Sequence, residues 1–307
     1  MSILVDQDTR LLVHGISNGS RKTCIEHLMQ SGADITAAVA FGQGGTWVSG
    51  VPVFDTVKEA IHATDVNACL ICVSADEAME AILEVVDAEV PLIICLTSGV
   101  PVRDVVRVQA RLLYGVSQRS LPGSPFGRRR ALTAKPIRLI GPGSLGVSSP
   151  GKCVASIIPG HISVQGSVGV ASRSGSLAFE VTWLLTQAGL GQSTILGIGS
   201  GFVAWTPFRD VLEMFEDDPS TEQVVLIGEI GGRGEELAAE FVRERMSKPV
   251  VAFVAGQTAP PGRRMGHEGA IIEEYAGTAQ QKIDALKDAG VRVARSLTEI
   301  PGLLKGA

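Results

Sequence analysis

Short apolar runs alternate with amphipathic stretches along the whole chain. In the first half, LLVHGI, DITAAVAFG, ACLICVS, LIICLTSG and IRLIGPG read as strands, while IEHLMQSG, VKEAIHAT and EAMEAILEVVDA carry the helical period. Apolar strands separated by helices predict right-handed βαβ units on a parallel sheet, a Rossmann-like unit. From 114 to 135 the pattern lapses into YGVSQRSLPGSPFGRRRALTAK, which holds Arg119, Arg128, Arg129, Arg130 and Lys135 and no acid. Its Gly, Ser and Pro content predicts an exposed basic loop, either solvated or gripping a partner or polyphosphate.

After GPGSLGVSSPGK the alternation restarts. VGVASRSGSLAFEVTWLL, TILGIGSG, DVLEMFEDD, VVLIGEIGG, ELAAEFVRERM, PVVAFVAGQT, QQKIDALKDAG and VRVARS predict a second doubly wound parallel sheet. The expected division falls near 145 to 160, with one domain over 1–147 and another over 148–307. A chain of 307 residues is long for one core and suits two.

Composition agrees with an α/β class: 45% apolar residues, 36 glycines and only 5% aromatics fit Val/Ile/Ala-rich strands joined by tight turns. The net charge of −5 gives no general attraction to nucleic acid or an anionic membrane, so any anion binding must be local. No apolar run approaches the roughly 18 to 20 residues that span a bilayer, and MSILVDQDTR has neither a signal-peptide core nor a transit pattern. A cytoplasmic location is expected. The five cysteines, Cys24, Cys69, Cys72, Cys95 and Cys153, lie mostly in strand-like stretches and are expected to be reduced and buried. Cys69 and Cys72 form a C-x-x-C, but on a strand residues three apart face opposite sides, so no metal site is expected there.

In open parallel sheets, ligands lie beyond the carboxyl ends of the strands. In the second half these ends are ASRSGS, GEIGG and the loop TAPPGRRMGHEGA. The first is a polar turn opening a helix at about Ser174, whose free N–H groups and positive dipole end suit a phosphate. Ser172, Ser174 and Ser176 add hydroxyl donors there, although turn geometry alone also favours Ser and Gly. Glu229 ends an apolar strand, where its carboxylate can accept an imidazole N–H and leave the other ring nitrogen nucleophilic, or merely cap the next helix. His267 stands between glycines that permit close approach of a bulky group; by itself such a histidine is more often a plain surface or core residue. Imidazole, carboxylate and helix terminus together describe a histidine that accepts a phosphoryl group and passes it on.

SRSGSLAFE, QSTILGIG, DVLEMFEDDP, VVLIGEIGG, KPVVAFVAG and TAPPGRRMGHEGAII resemble the α subunit of succinyl-CoA synthetase and its relatives, among them malate–CoA ligase. The similarity extends from MSILVD to GVRVARSLTEI, and its most specific element is Met-Gly-His with TAP upstream. The resemblance implies a Rossmann-like CoA-binding domain followed by a flavodoxin-like ligase domain that carries a phosphohistidine loop. It implies that His267 is phosphorylated, that Glu229 is its hydrogen-bond partner, and that Ser172, Ser174 and Gly175 begin the helix facing the phosphate. Coenzyme A is implied on the first domain, against Gly15, Ser17, Asn18, Gly19, Ser20, Arg21, Lys22, Gln43, Val73, Ser74, Thr97, Ser98, Gly143 and Ser144. ATP or GTP with magnesium belongs mainly to a partner, an ATP-grasp β subunit, in an αβ or α2β2 assembly that uses a dicarboxylic acid. No metal ligand is expected on this chain.

The departures from that pattern cluster. Where the family has Gly-x-Thr-Gly-x-Gln-Gly-Thr, this chain has Gly15-Ile16-Ser17-Asn18-Gly19-Ser20-Arg21-Lys22-Thr23. Pro-Gly-Lys-Gly-Gly is replaced by Phe41-Gly42-Gln43-Gly44-Gly45, Gly-Pro-Asn-Cys by Gly141-Pro142-Gly143-Ser144, and Gly-Gly-Asp-Pro by Ser200-Gly201-Phe202-Val203. Two readings follow: the cation lost at Gln43 reappears as Arg21 or Lys22, or CoA binding is weakened or the acceptor changed. The more apolar Phe202-Val203 leaves the acid open, malate or another in place of succinate, and the four altered loops also suit a non-catalytic paralogue that binds acyl-CoA or nucleotide. A Rossmann dehydrogenase is disfavoured, because GISNGSRKT is not Gly-x-Gly-x-x-Gly.

Overall fold

A computed structural model describes residues 2–15, 22–120, 137–273 and 276–306, without the side chains of 22–24, 27 and 113–120. The first unit runs β1 (Leu11–His14), α1 (Lys22–Gln30), β2 (Ile35–Val39), β3 (Trp47–Val48), β4 (Val51–Phe54), α2 (Val57–Ala63), β5 (Ala68–Ile71), α3 (Ala78–Asp87), β6 (Leu92–Cys95), α4 (Val102–Ser120) and β7 (Arg138–Ile140). Its sheet has the order β3-β4-β2-β1-β5-β6-β7. With the short antiparallel β3 set aside, this is the Rossmann order. β5 and β6 are buried at every position, which is why ACLI and LIIC are continuously apolar instead of alternating. α3 covers the sheet with Ala78, Ala81, Ile82 and Val85, the spacing of one helical face.

The second unit runs β8 (Gly146–Ser149), β9 (Cys153–Ser156), β10 (Gln165–Ser172), α5 (Gly175–Gln187), β11 (Gln192–Gly197), α6 (Phe208–Asp217), β12 (Gln223–Glu229), α7 (Gly234–Arg245), β13 (Val250–Ala255), α8 (Ala279–Asp288), β14 (Arg292–Val293) and α9 (Ile300–Lys305). The sheet order is β14-β13-β12-β10-β11-β8-β9. Its parallel strands β11-β10-β12-β13-β14 follow the flavodoxin order 2-1-3-4-5. Helix starts are chemically marked. Ser174 caps α5 through the N–H of Leu177, and Thr278 with Gln281 forms a capping box on α8.

The units share buried and half-buried hydrogen bonds. Ser144 Oγ donates to Gly197 O at 2.5 Å, Thr206 Oγ1 to Leu139 O at 2.6 Å, and Trp205 Nε1 to Val105 O at 3.3 Å.

Three features differ from the sequence expectation. α4 continues through Ser120, into the segment assigned to a loop from 114; residues 121–136 lie outside the described ones. β8 and β9 form an antiparallel hairpin at the edge of the second sheet, where a plain βα repeat was expected. β3 and β4 add a small hairpin to the first. Cys69, Cys72, Cys95 and Cys153 form no disulfide; Cys69 and Cys95 are buried as expected, whereas Cys72 and Cys153 are only half-buried. Burial pushes Cys69 far up, Cys95 to about 12 and Cys153 to about 11, so these three are unreactive as thiolates. No described helix is long and apolar enough to cross a membrane.

Candidate active site

β10 and β12 are neighbours, with Ser172 opposite Ile227. Their carboxyl ends therefore bring the Ser172-Arg173-Ser174 turn and Glu229 to one edge of the second sheet. The loop leaving β13 carries His267 over that edge. It is shaped by local bonds: His267 N donates to Met265 O at 3.1 Å, Ala270 N to His267 O at 3.2 Å, and Gly269 N to Ser200 O at 3.1 Å. Gly231, at φ +89°, lets the loop lie close, since a Cβ there would stand 2.0 Å from Gly269 O.

At the centre, His267 Nδ1 donates to Glu229 Oε2 at 2.6 Å. A carboxylate only accepts, so this bond fixes the Nδ1–H tautomer and leaves the Nε2 lone pair free. The histidine side chain is 36% exposed and the glutamate 6%. The bond to Glu229 raises the imidazole above its ordinary value; desolvation opposes that rise, the glutamate charge adds to it, and Arg173 opposes it. The other glutamate oxygen, Oε1, accepts from Arg173 Nε at 2.9 Å. Arg173 Nη2 donates in turn to Gly201 O at 2.8 Å. Behind the strand end, Glu229 N donates to Glu235 Oε1 at 2.9 Å, and Glu235 Oε2 is paired with the fully buried Lys282.

The anion-binding end of α5 differs in detail from expectation. Ser172 is fully buried, and its hydroxyl donates to Ser174 O at 2.7 Å and accepts from Ser174 N at 3.0 Å. It shapes the turn and has no proton left for a phosphate, which corrects its assignment as a hydroxyl donor. Ser174 Oγ accepts from Leu177 N at 3.4 Å, which leaves its own O–H to donate. The N–H groups of Gly175 and Ser176 belong to the first turn and have no carbonyl four residues back within the helix.

On the first sheet, Gly15, Val73-Ser74, Thr97-Ser98 and Gly143-Ser144 follow β1, β5, β6 and β7, which are adjacent, so they share one edge. Gly15 is at φ +112° with a Cβ position 2.6 Å from Val73 Cγ1; Gly143 is at φ +68° with its own 2.6 Å from Ser200 Oγ. At both positions the space a side chain would take is filled by protein, so glycine lets these turns pack against their neighbours. Thr97 Oγ1 donates to Val73 O at 2.8 Å, and Ser144 Oγ is committed to Gly197 O, so these two hydroxyls build the edge instead of facing a ligand. Ser98 is exposed, and Ser74 Oγ donates to Glu77 at 2.5 Å. Gln43 lies in the turn after β2, where its carbonyl accepts from Thr46 Oγ1 at 2.7 Å. Ser17, Asn18, Gly19, Ser20 and Arg21, and the side chain of Lys22, lie outside the described residues.

Two family models match the chain: CoA binding domain over residues 6–99 and CoA-ligase over residues 171–293. The subunit alpha 2 of succinate–CoA ligase (ADP-forming) from Archaeoglobus fulgidus is 46% identical over 304 residues, covering 99% of this chain and 99% of that one. The corresponding alpha subunit from Aquifex aeolicus is 43% identical over 300 residues, covering 98% and 92%. The chain belongs to the succinate–CoA ligase α-subunit family. Among solved structures, ATP citrate lyase from Methanothrix soehngenii in complex with citrate and coenzyme A superposes with a TM-score of 0.79 at 21% identity. That match covers 99% of this chain and 50% of the lyase, and shows a shared fold.

Within this family member, the histidine and glutamate singled out in the sequence are in contact. Arg173, Glu235 and Lys282 were missed. The one sequence signal for Arg173 is its place inside SRSGS, between Ser172 and Ser174. The substituted Ser200–Val203 loop lies beside the histidine loop. Arg264 stacks over the Phe202 ring at 5.7 Å, and Phe202, Val203, Val100, Val102 and Pro142 line a shallow cleft that reaches Glu268.

Proposed function

We propose that this chain is the catalytic α subunit of a nucleotide-dependent acid–CoA ligase of succinyl-CoA synthetase type, working through phosphohistidine at His267. The observation that carries the reading is the Nδ1 bond of His267 to Glu229. With Nδ1–H held by a carboxylate, Nε2 attacks the terminal phosphoryl of ATP or GTP: the N–P bond forms as the bond to the nucleoside diphosphate breaks. The positive charge that develops on the ring is balanced by Glu229. The phosphoryl then passes to a carboxylate of the acid, giving an acyl phosphate and restoring the free imidazole. Gly175 and Ser176 N–H and the Ser174 hydroxyl are the groups this chain offers the phosphoryl oxygens.

Nucleotide and magnesium are placed mainly on an ATP-grasp β subunit in an αβ or α2β2 assembly, and the complex in the cytoplasm. Coenzyme A supplies the thiol that ends in the thioester; the Gly15, Ser74, Ser98 and Gly143 edge and residues 16–22 are the parts of this chain that would hold it. The unit that ends with β7 and the unit that begins with β8 divide the two tasks; the boundary expected after residue 147 falls inside β8 (Gly146–Ser149). An acid other than succinate, such as malate, is the second reading, and one observation supports it: Phe202 and Val203 line the cleft beside Glu268, where the family pattern has Asp-Pro. The retained His267–Glu229 pair weighs against a non-catalytic paralogue.

The test is turnover. The chain with its native β subunit, ATP or GTP, magnesium, CoA and a panel of mono- and dicarboxylic acids should release orthophosphate and form a thioester with at least one acid. Thioester from none of them would reject the ligase reading.

A further inference from the structure

We propose that Arg173 is a positioning residue of the phosphoryl-transfer centre, holding Glu229 so that it can fix the His267 imidazole, and locking this arrangement to the Ser200–Val203 loop. The proposal rests on the phosphohistidine reading above.

Arg173 makes two bonds that diverge. Nε donates to Glu229 Oε1 at 2.9 Å, and Nη2 donates to Gly201 O at 2.8 Å. Its side chain is 13% exposed and that of Glu229 6%. Its backbone is anchored too, since Arg173 N donates to Ile227 O at 3.0 Å, placing the residue beside the strand that ends in Glu229. A planar fork with separated N–H groups can satisfy both acceptors at once; a single ammonium is poorly suited to the task.

The carboxylate of Glu229 therefore has each oxygen assigned, one to Arg173 and one to His267. Remove the guanidinium, and Oε1 becomes a buried acceptor without a partner; rotating the carboxylate to find one would carry Oε2 away from Nδ1. The neighbouring loops fit around this bridge. A Cβ on Gly269 would stand 2.8 Å from Arg173 Nη2 and 3.0 Å from Gly201 O, so a side chain there would push on the guanidinium that holds Glu229. Gly269 N also donates to Ser200 O at 3.1 Å, and Arg264 covers Phe202. Ser200 in turn lies against the Gly143 turn of the first sheet, at 2.6 Å from that glycine's Cβ position. Arg173 thus joins the carboxylate that sets the histidine to the loop packed between the two units.

The experiment is rapid-quench labelling from γ-labelled ATP or GTP, using the chain assembled with its native β subunit. Arg173→Gln is expected to slow labelling about ten- to a hundredfold, the order that misplacement of a reacting group costs, while calorimetric CoA affinity stays within about twofold. Arg173→Lys, which keeps the charge, is expected to remain slow. A double-mutant cycle separates positioning from general damage. In a Glu229→Gln background, adding Arg173→Gln is expected to change the rate little, because Arg173 acts through the glutamate. Full labelling by Arg173→Gln, complete rescue by lysine, or additive losses in the cycle would each overturn the proposal while leaving a labelled wild type intact. An unlabelled wild type would instead remove the phosphohistidine reading, and this assignment with it.

Discussion

Glu235 accepts the backbone N–H of Glu229 at 2.9 Å through one carboxylate oxygen and pairs with Lys282 through the other. The end of β12 is therefore fixed from behind by a charge pair that water does not reach: Lys282 is 0% and Glu235 1% exposed. Glu229 receives its backbone position from Glu235 and its side-chain orientation from Arg173 and His267. A flexible strand end could not hold a tautomer.

Lys282→Ala leaves the Glu235 carboxylate buried without its partner. The expected cost is about 3–5 kcal/mol, read as a lower urea midpoint. Phosphorylation should fall as well, because the support under Glu229 is lost. A variant as stable and as active as wild type would show the pair to be incidental.

Gly231 and Gly262 both adopt positive φ, +89° and +69°, but a Cβ would meet Gly269 O at 2.0 Å from the first and nothing within 4 Å from the second. Gly231→Ala is expected to displace the histidine loop and abolish most labelling of His267. Gly262→Ala carries only the backbone penalty, about 1–2 kcal/mol, and should keep labelling near wild type. Equal behaviour of the two variants in the labelling assay would contradict the loop packing described above.

Much of this was legible in the chain. ACLI and LIIC are strands because both faces are covered, and their unbroken apolar runs say so. Glu229 was readable because a carboxylate closing the apolar run VVLIG has no packing reason to be there. Other features left no such trace. β8 and β9 are written GVSS and CVAS, with serines whose hydroxyls are satisfied inside the fold, as Ser149 is by Thr194 at 2.9 Å, so they resemble turn sequence. Lys282 sits in AQQKIDALKD, which reads as a solvated helix face until its partner arrives from α7. Arg173 gains its meaning from Glu229, 56 positions away, and no local pattern encodes such a bond.

The raised imidazole of His267 has a definite pH signature. Nε2 attacks only when unprotonated, so labelling should increase as pH rises through a value above the ordinary 6.5. Glu229→Gln removes the principal cause of the rise and is expected to move that limb to lower pH while lowering the plateau. For stability the sign is opposite. The His267–Glu229 contribution is complete below the unfolded value near 6.5 and disappears as pH climbs through the raised folded one. A rate profile whose limb stays put in Glu229→Gln would show that the glutamate does not set the histidine.

The most direct measurement is the site of the phosphoryl group. The chain with its native β subunit is incubated with γ-labelled ATP or GTP and magnesium, digested under alkaline conditions that preserve phosphohistidine, and mapped by mass spectrometry, beside His267→Asn. The label should sit on the peptide holding His267, vanish in His267→Asn, and be discharged by CoA with the acid. Label retained in His267→Asn, or found on another residue, would contradict the central claim.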